Sequence, residues 1–131
     1  IDLSGPCFAP PPAALPPSIT LRPACAHDEA LARMRGFSLG LIPFVRNTLT
    51  DGVDPIKFYE YRALGLPVLT TRFGSMAGRV GAPGVHAMDD EQAVRRAMTE
   101  AGGPRDADAA GRFRQAHDWG ARFDEAELFA R

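Results

Sequence analysis

A lysine and a glutamate stand one helical turn apart in the stretch DGVDPIKFYEYRALGLPVLTT, residues 51–71. Lys57 and Glu60 follow Asp54-Pro55, a pair typical of a helix start: aspartate is a good N-cap, and proline at the first helical position needs no hydrogen-bond acceptor. The first amides of a helix and the helix dipole attract anions, and phosphate is the usual one. The stretch therefore predicts an anion site close to Lys57.

Spacing alone leaves two interpretations open for each of these side chains. Positive charge at a helix N-terminus costs about 0.3–1 kcal/mol, and a bound diphosphate would reverse the sign of that effect. Lys57 can equally form a surface ion pair with Asp54 or Glu60, which would contribute little. Glu60 can accept two hydroxyls of a ribose, or it can be a solvated helix residue.

The length, net charge and cysteine content of the chain limit the classes of protein to which it can belong. Its 131 residues suffice for one domain, and the net charge of −1 gives no reason to invoke nucleic acid. Cys7 and Cys25 have no CxxC or Cys/His spacing, which argues against a disulfide framework or a zinc site and favours a reducing, cytoplasmic setting. No apolar run approaches the roughly 20 residues that span a bilayer.

Strands and helices alternate along the predicted chain. The strands fall at 1–3, 18–22, 38–44, 67–71 and 84–88, with a proline-rich surface loop at 9–17. The helices begin at Asp28, Pro55, Asp89-Asp90, residue 105 and Asp118. This alternation implies an α/β domain with a largely parallel sheet.

Helical spacing also predicts which side chains face the core. In the helix 55–64, these are Ile56, Tyr59 and Ala63. In the remaining helices they are Leu31 and Met34; Ala93, Val94, Ala97 and Met98; Ala109, Phe113 and Ala116; and, in the last helix, Trp119, Phe123 and Ala126.

The anion site has a predicted place in the sheet. Open parallel sheets bind ligands beyond the carboxyl ends of their strands, where helix N-termini point. The loop 44–54 and the first turn of the helix 55–64 occupy such a place after the strand 38–44. The amides of residues 56–58 are expected to be free there. The segment TRFGSM, 71–76, follows the next strand, so Arg72, Ser75 and Met76 could border the same cleft, although a turn without ligand is the simpler interpretation.

A resemblance rests on these residues. DPIKFYEYRALGLPVLTT resembles the donor-binding segment of bacterial glycosyltransferases of the GT-B fold, group 1 or family 4-like, in the form D-P-x-K-x-Y-E-Y-x-A-x-G-x-P-V. The strand–helix–strand LPPSITLRPACAHDEALARMRGFSLGLIPF and the later HDWGARF resemble the flanking parts of that family. The likeness runs from about residue 1 to 129.

The resemblance implies a Rossmann-like domain that binds a nucleotide-diphospho-sugar. Glu60 would hold the donor ribose, and Pro55, Ile56 and Lys57 would lie near the diphosphate and sugar. Asp54 joins this donor-binding set at the same helix start. Backbone around Ala24 and Cys25 would face the nucleobase. The family is typically metal-independent, so neither a metal nor another cofactor is expected.

One departure from the family pattern concerns the sugar. Many relatives carry two glutamates separated by seven residues, but Gly52 stands eight positions before Glu60. The sugar contact of the first glutamate is therefore in doubt, and whether Asp51 or Asp54 replaces it stays open.

The resemblance also implies parts that this sequence lacks. In a sheet of order 3-2-1-4-5-6, Ile1–Leu3 would end the second strand, so the central strand and its glycine-rich turn would lie upstream. We therefore expect residues 1–131 to be the donor domain truncated at its N-terminus, without the acceptor domain, inactive alone and prone to self-association through its open edges.

The functional expectation is transfer of a sugar to a glycan or lipid-linked acceptor in polysaccharide synthesis. The setting would be cytoplasmic, at the inner face of the membrane, with peripheral attachment of the parent protein. Two alternatives stay open: a nucleotide-sugar epimerase of the same fold, and a non-catalytic α/β interaction module. The scattered His27, His86 and His117 are expected to be ordinary surface or capping residues.

Overall fold

A computed structural model describes residues 1–6, 11, 14–118 and 120. The chain divides into two compact units, one of residues 1–36 and one that begins at Phe37. The predicted helix from Asp118, with Trp119, Phe123 and Ala126, falls largely outside the described residues.

The first unit is a pair of parallel strands followed by a helix. Strand β1 (Asp2–Ser4) pairs with β2 (Thr20–Arg22), and Leu3 lies opposite Leu21. Helix α1 (His27–Met34) ends in the buried Met34, as its spacing predicts. The sequence pattern predicts Asp28 as the cap that begins this helix, but the N-cap is Ala26, without a side-chain bond, so that prediction is wrong. Asp28 lies inside the first turn, where its charge suits the helix dipole.

The second unit contains a parallel sheet with the order β3–β4–β5. The strands are β3 (Gly40–Ile42), β4 (Val68–Thr70) and β5 (Val85–Ala87). Helix α2 (Thr48–Asp51) and helix α3 (Ile56–Ala63) connect β3 to β4, and α4 (Gly74–Arg79) connects β4 to β5. Helices α5 (Glu91–Ala101) and α6 (Ala107–Ala116) follow. The predicted α/β class, a Rossmann-like arrangement with parallel strands flanked by helices, is confirmed.

A single apolar core joins this sheet to its helices. Strands β4 and β5 are buried along their whole length, as expected for strands covered on both faces. Phe58 of α3 belongs to this core. The ring of Phe113 in α6 packs edge-on against the Phe58 ring, with the two centroids 5.7 Å apart. The buried core cluster consists of Ile42, Phe58, Val68, Phe73, Met76 and Val85.

Helix α3 ends as its sequence predicts. Gly65 adopts a φ of +73°, a left-handed conformation that glycine reaches without steric cost. Its amide donates to the Arg62 carbonyl at 3.0 Å, and the Leu66 amide donates to Tyr61 at 2.9 Å. These two bonds form a Schellman motif, which satisfies the last carbonyls of the helix. The polypeptide then enters β4 with Leu66 fully buried.

Three predictions of inward-facing residues are wrong. Ile56 is 66% exposed, and the buried residue of α3 is Phe58, whose larger apolar ring fills the core. Met98 is 60% exposed, because α5 packs through its small residues Ala93 and Ala97. In α6 the buried residue is Ala110, and Ala116 is exposed. In each helix a different position is the buried one.

Two short helices escaped sequence prediction. Helix α2 lies in the segment predicted as a polar loop, and it is closed by a capping box in which Asn47 and Thr50 exchange hydrogen bonds. Helix α4 begins at Gly74, with a φ of +39°, where a Cβ would lie 2.7 Å from the Thr50 carbonyl oxygen. The first residue of α4 therefore packs directly on the end of α2.

Candidate functional site

The start of α3 lies one residue later than predicted. Pro55 is the N-cap in an extended conformation, and Ile56 is the first helical residue. No side chain caps the helix, so the N-cap prediction for Asp54 is wrong. The reason is that the Asp54 carboxylate accepts hydrogen bonds from Arg79 and Tyr59 instead.

The helix start presents two amides rather than three. The Phe58 amide donates to the Pro55 carbonyl at 2.9 Å, so only the amides of Ile56 and Lys57 precede the first backbone hydrogen bond of α3. Pro55 is buried, whereas Ile56 is 66% exposed. The two amides therefore belong to an exposed turn that directly follows a buried proline. Such a turn is accessible to an anion.

Lys57 and Glu60 are brought together at this start. Lys57 Nζ lies 2.6 Å from Glu60 Oε2, which matches the ion pair that the sequence left open. The two side chains differ in burial: the lysine is 46% exposed and the glutamate 11%. The ion pair therefore joins a half-exposed ammonium group to a carboxylate that is largely shielded from solvent.

Asp54 anchors a second cluster directly before the helix. Its Oδ1 accepts from Arg79 Nη1 at 2.6 Å and from the Ser75 hydroxyl at 3.2 Å, and its Oδ2 accepts from the Tyr59 hydroxyl at 2.7 Å. The hydrogen bonds from Arg79 lower the pKa of Asp54 to about 2, with smaller contributions from Tyr59 and Ser75, although partial burial acts in the opposite direction. The carboxylate is thus ionised throughout the neutral range.

Sequence reasoning missed Arg79, the partner of Asp54. It lies in the last turn of α4. Helix propensity does not predict this helix, because Gly74 and Gly78 are poor helix formers. Of the residues suggested as cleft borders, Met76 is instead fully buried in the core. Arg72 forms an ion pair with Asp89 across 3.1 Å.

The remaining predicted donor contacts belong to the other unit. Ala24 and Cys25 lie in the loop between β2 and α1, where Ala24 is exposed and Cys25 is half-buried with a free thiol. Their predicted place beside a nucleobase stays a prediction. Among the histidines, His86 is buried on β5, and its Nε2 lies 3.0 Å from Glu100 Oε2, so the expectation of a surface residue is wrong there.

Within residues 1–6, 11, 14–118 and 120, no three His, Cys, Asp or Glu side chains gather in a group that could hold a metal ion. None of the helices in the described part of the chain is both long and apolar enough to cross a bilayer.

Comparisons with protein-family models, with curated proteins and with solved structures found no match for the chain.

Proposed function

We propose that this chain is the donor-binding part of a glycosyltransferase, which holds a nucleotide-diphospho-sugar at the start of α3. The observation that carries the proposal is the ion pair between Lys57 Nζ and Glu60 Oε2, 2.6 Å apart in the first turns of α3. It lies beside the amides of Ile56 and Lys57, which precede the first backbone hydrogen bond of the helix. A cation and amides suit a diphosphate, and a carboxylate one turn further suits a ribose diol. The resemblance of residues 54–71 supports the same assignment.

The ion pair is compatible with such a ligand. A surface pair between lysine and glutamate is typically worth about 0–1 kcal/mol, so a diphosphate can compete for the ammonium group. Charge-assisted hydrogen bonds to phosphate are worth about 1.5–3 kcal/mol each. On binding, Lys57 would turn from Glu60 to the phosphate, and Glu60 would accept the ribose hydroxyls.

The reaction follows from the donor. An acceptor hydroxyl oxygen attacks the anomeric carbon, the bond from that carbon to the phosphate oxygen breaks, and nucleoside diphosphate leaves. The amides of Ile56 and Lys57, with the Lys57 ammonium group, stabilise the negative charge on the departing diphosphate. The hydroxyl proton passes to a base that the resemblance assigns to an acceptor domain. We accordingly propose a cytoplasmic setting, with a glycan or lipid-linked acceptor.

Calorimetric titration of the full 131-residue chain tests the proposal. UDP, GDP and TDP are each compared with the matching nucleoside. We expect one diphosphate to bind, and we expect Lys57→Ala to weaken it about tenfold or more while the nucleoside changes little, because only the diphosphate meets the ammonium group. Glu60→Ala should weaken diphosphate and nucleoside alike, because both carry the ribose.

The helix pair Glu91–Arg95 supplies matched controls. Arg95 Nη2 lies 2.7 Å from Glu91 Oε1, and both side chains are more than three-quarters exposed on α5. Arg95→Ala and Glu91→Ala remove the same charges without touching α3, and they should leave binding unchanged. Absence of binding to all three diphosphates would reject the proposal in favour of an interaction module. Unchanged binding in Glu60→Ala would remove the ribose role.

A further inference from the structure

Arg79 ties α4 to the residue before the N-cap of α3 and to the end of the first turn of that helix. Its Nη1 donates to Asp54 Oδ1 at 2.6 Å, and its Nη2 donates to the Tyr59 hydroxyl at 2.7 Å. The Tyr59 hydroxyl in turn donates to Asp54 Oδ2 at 2.7 Å. One guanidinium therefore closes a ring of hydrogen bonds around residues 54 and 59, which bracket Ile56 and Lys57.

Aromatic rings hold the guanidinium in this position. The Arg79 Cζ atom lies 4.5 Å from the centroid of the Phe58 ring and 5.2 Å from that of Tyr59, both within the range of a cation–π contact. The Arg79 side chain is only 26% exposed. Phe58 is itself part of the apolar core, so the Arg79–Asp54–Tyr59 hydrogen bonds lie next to well-packed side chains.

We propose that Arg79 is a positioning residue for the pyrophosphate site, which it serves by fixing Asp54 and Tyr59 and thereby the exposed amides of Ile56 and Lys57 between them. This inference rests on the function proposed above. Preorganised donors bind a ligand more tightly because less order has to be acquired on binding. Asp54, which the sequence placed among the donor contacts, becomes in this proposal a partner of Arg79.

Charge and geometry separate Arg79 from a direct phosphate contact. The Asp54 carboxylate lies against its guanidinium and offsets its charge, and both nitrogens already donate within the protein, Nη1 to Asp54 and Ser75 and Nη2 to Tyr59. Lys57 is the cation whose ammonium group lies on the exposed side of α3. Lys57 would thus contact the ligand, and Arg79 would hold the turn that carries it.

The test compares Arg79→Met with Asp54→Asn and with the double variant, and Arg95→Met serves as the matched control. Affinities for the bound diphosphate and for its nucleoside are measured by calorimetry, at a temperature where circular dichroism shows every variant to be folded. We expect either single change to weaken the diphosphate about tenfold with little effect on the nucleoside, as a misplaced helix end would. The double variant should lose no more than either single one, because both break the same unit. Arg95→Met should bind like the original chain.

A second readout does not depend on the ligand. In ¹⁵N relaxation measurements on the free chain, the Ile56 and Lys57 amides should become more mobile in Arg79→Met and in Asp54→Asn, while the amides of β4 stay as they are. A variant that merely unfolds more easily would loosen the core strand as well. Restoration of rigid amides by Arg79→Lys would contradict the role of the two-pronged guanidinium, since a single ammonium group cannot reach both partners in the same way.

The outcomes distinguish this inference from the function on which it rests. If the original chain binds a diphosphate and Arg79→Met binds it equally well, the positioning role is overturned and the proposed function stands. Equal losses for diphosphate and nucleoside, or multiplied losses in the double variant, would also overturn the positioning role. If the original chain binds no diphosphate, the proposed function fails and the pyrophosphate role of Arg79 falls with it, and the relaxation data then show whether Arg79 fixes the turn.

Discussion

Lys57 Nζ lies 2.6 Å from Glu60 Oε2, across one turn at the start of α3. The pair combines an exposed ammonium group with a carboxylate that is only 11% exposed. A lysine in this position opposes the helix dipole, and its nearby glutamate offsets that cost locally. In the function proposed above, Lys57 exchanges this partner for the bound diphosphate.

Removal of the ammonium group should therefore barely change folding stability. We expect Lys57→Ala to change the free energy of unfolding by less than about 1 kcal/mol, because the lost ion pair and the relieved dipole repulsion nearly cancel. Urea denaturation of Lys57→Ala provides the measurement, with Arg95→Ala, which loses a helix ion pair exposed on both sides, as the reference for a fully solvated pair. A much larger loss in Lys57→Ala would show that the pair is structural and would weaken the case for a ligand.

Acid should release the Asp54–Arg79 contact. The pKa of Asp54 in the folded chain is about 2, below its ordinary value of 3.8, so the folded state favours the ionised carboxylate. A lowered folded-state pKa contributes stability that is fully present above pH 3.8 and is lost as pH falls towards 2. Because the side chain is 42% exposed, solvent screening reduces the contribution to about 1 kcal/mol.

Chemical denaturation between pH 5 and pH 2.5 checks this sign, with these pH values chosen as about one unit either side of the ordinary pKa. Asp54→Asn should be less stable than the original chain at the higher pH, and the difference should shrink at the lower one. In an Arg79→Met background the same substitution should show a smaller pH dependence, since the hydrogen bonds that lower the pKa are gone. A difference that stays constant with pH would contradict the assignment.

Gly40 should not tolerate a side chain. A Cβ at this position of β3 would overlap the Tyr61 ring, because α3 packs against the strand at the glycine. We expect Gly40→Ala to destabilise the fold by about 1–3 kcal/mol, the usual cost of overpacking. The cost should fall in a Tyr61→Ala background, where the ring is absent.

Gly78 provides the control for this substitution. A Cβ there would meet nothing within 4 Å, and the residue is exposed within α4. Gly78→Ala should therefore leave stability unchanged or raise it by about 0.5–1 kcal/mol through helix propensity. Equal thermal unfolding of Gly40→Ala and Gly78→Ala would contradict the packing of α3 on β3.

Gly74 and Gly81 separate backbone strain from steric overlap. Both have a positive φ, +39° and +94°, but only at Gly74 would a Cβ lie 2.7 Å from Thr50 O and 2.8 Å from Asp51 O. Alanine at either position should cost about 1–2 kcal/mol through strain. Gly74→Ala should be the more destabilising of the two in thermal unfolding, because it also separates α4 from α2.

Residue patterns predicted much of the secondary structure. The five strands were placed to within two residues at each end, since short apolar runs bounded by glycine and proline are a strong signal. Helix α5 begins at Asp89-Asp90 as predicted, and Asp90 is its N-cap, with its Oδ1 accepting from the amides of Gln92 and Ala93. The ion pair of Lys57 with Glu60 was one of the two interpretations that spacing left open.

The wrong predictions concern residues whose position or hydrogen bonds depend on contacts with distant parts of the chain. Asp54 has the composition of an N-cap, but Arg79, 25 residues later, binds its carboxylate. Ile56 has the spacing of a buried residue, but the deeper position belongs to Phe58. Helix α4 was missed because its stability comes from the buried Met76 rather than from its glycine-containing sequence.

The sequence by itself determined the five strands, the α/β class, the ends of α3 at Pro55 and Gly65 to within a residue, and the two candidate partners of Lys57. These depend on side-chain periodicity and backbone conformation, which act over a few neighbouring residues. Only the tertiary structure decided which side chain fills the core beside α3 and which cation binds Asp54. In both cases, groups from distant parts of the chain compete for the same space or the same hydrogen bonds. A local sequence pattern therefore cannot predict which group is placed there.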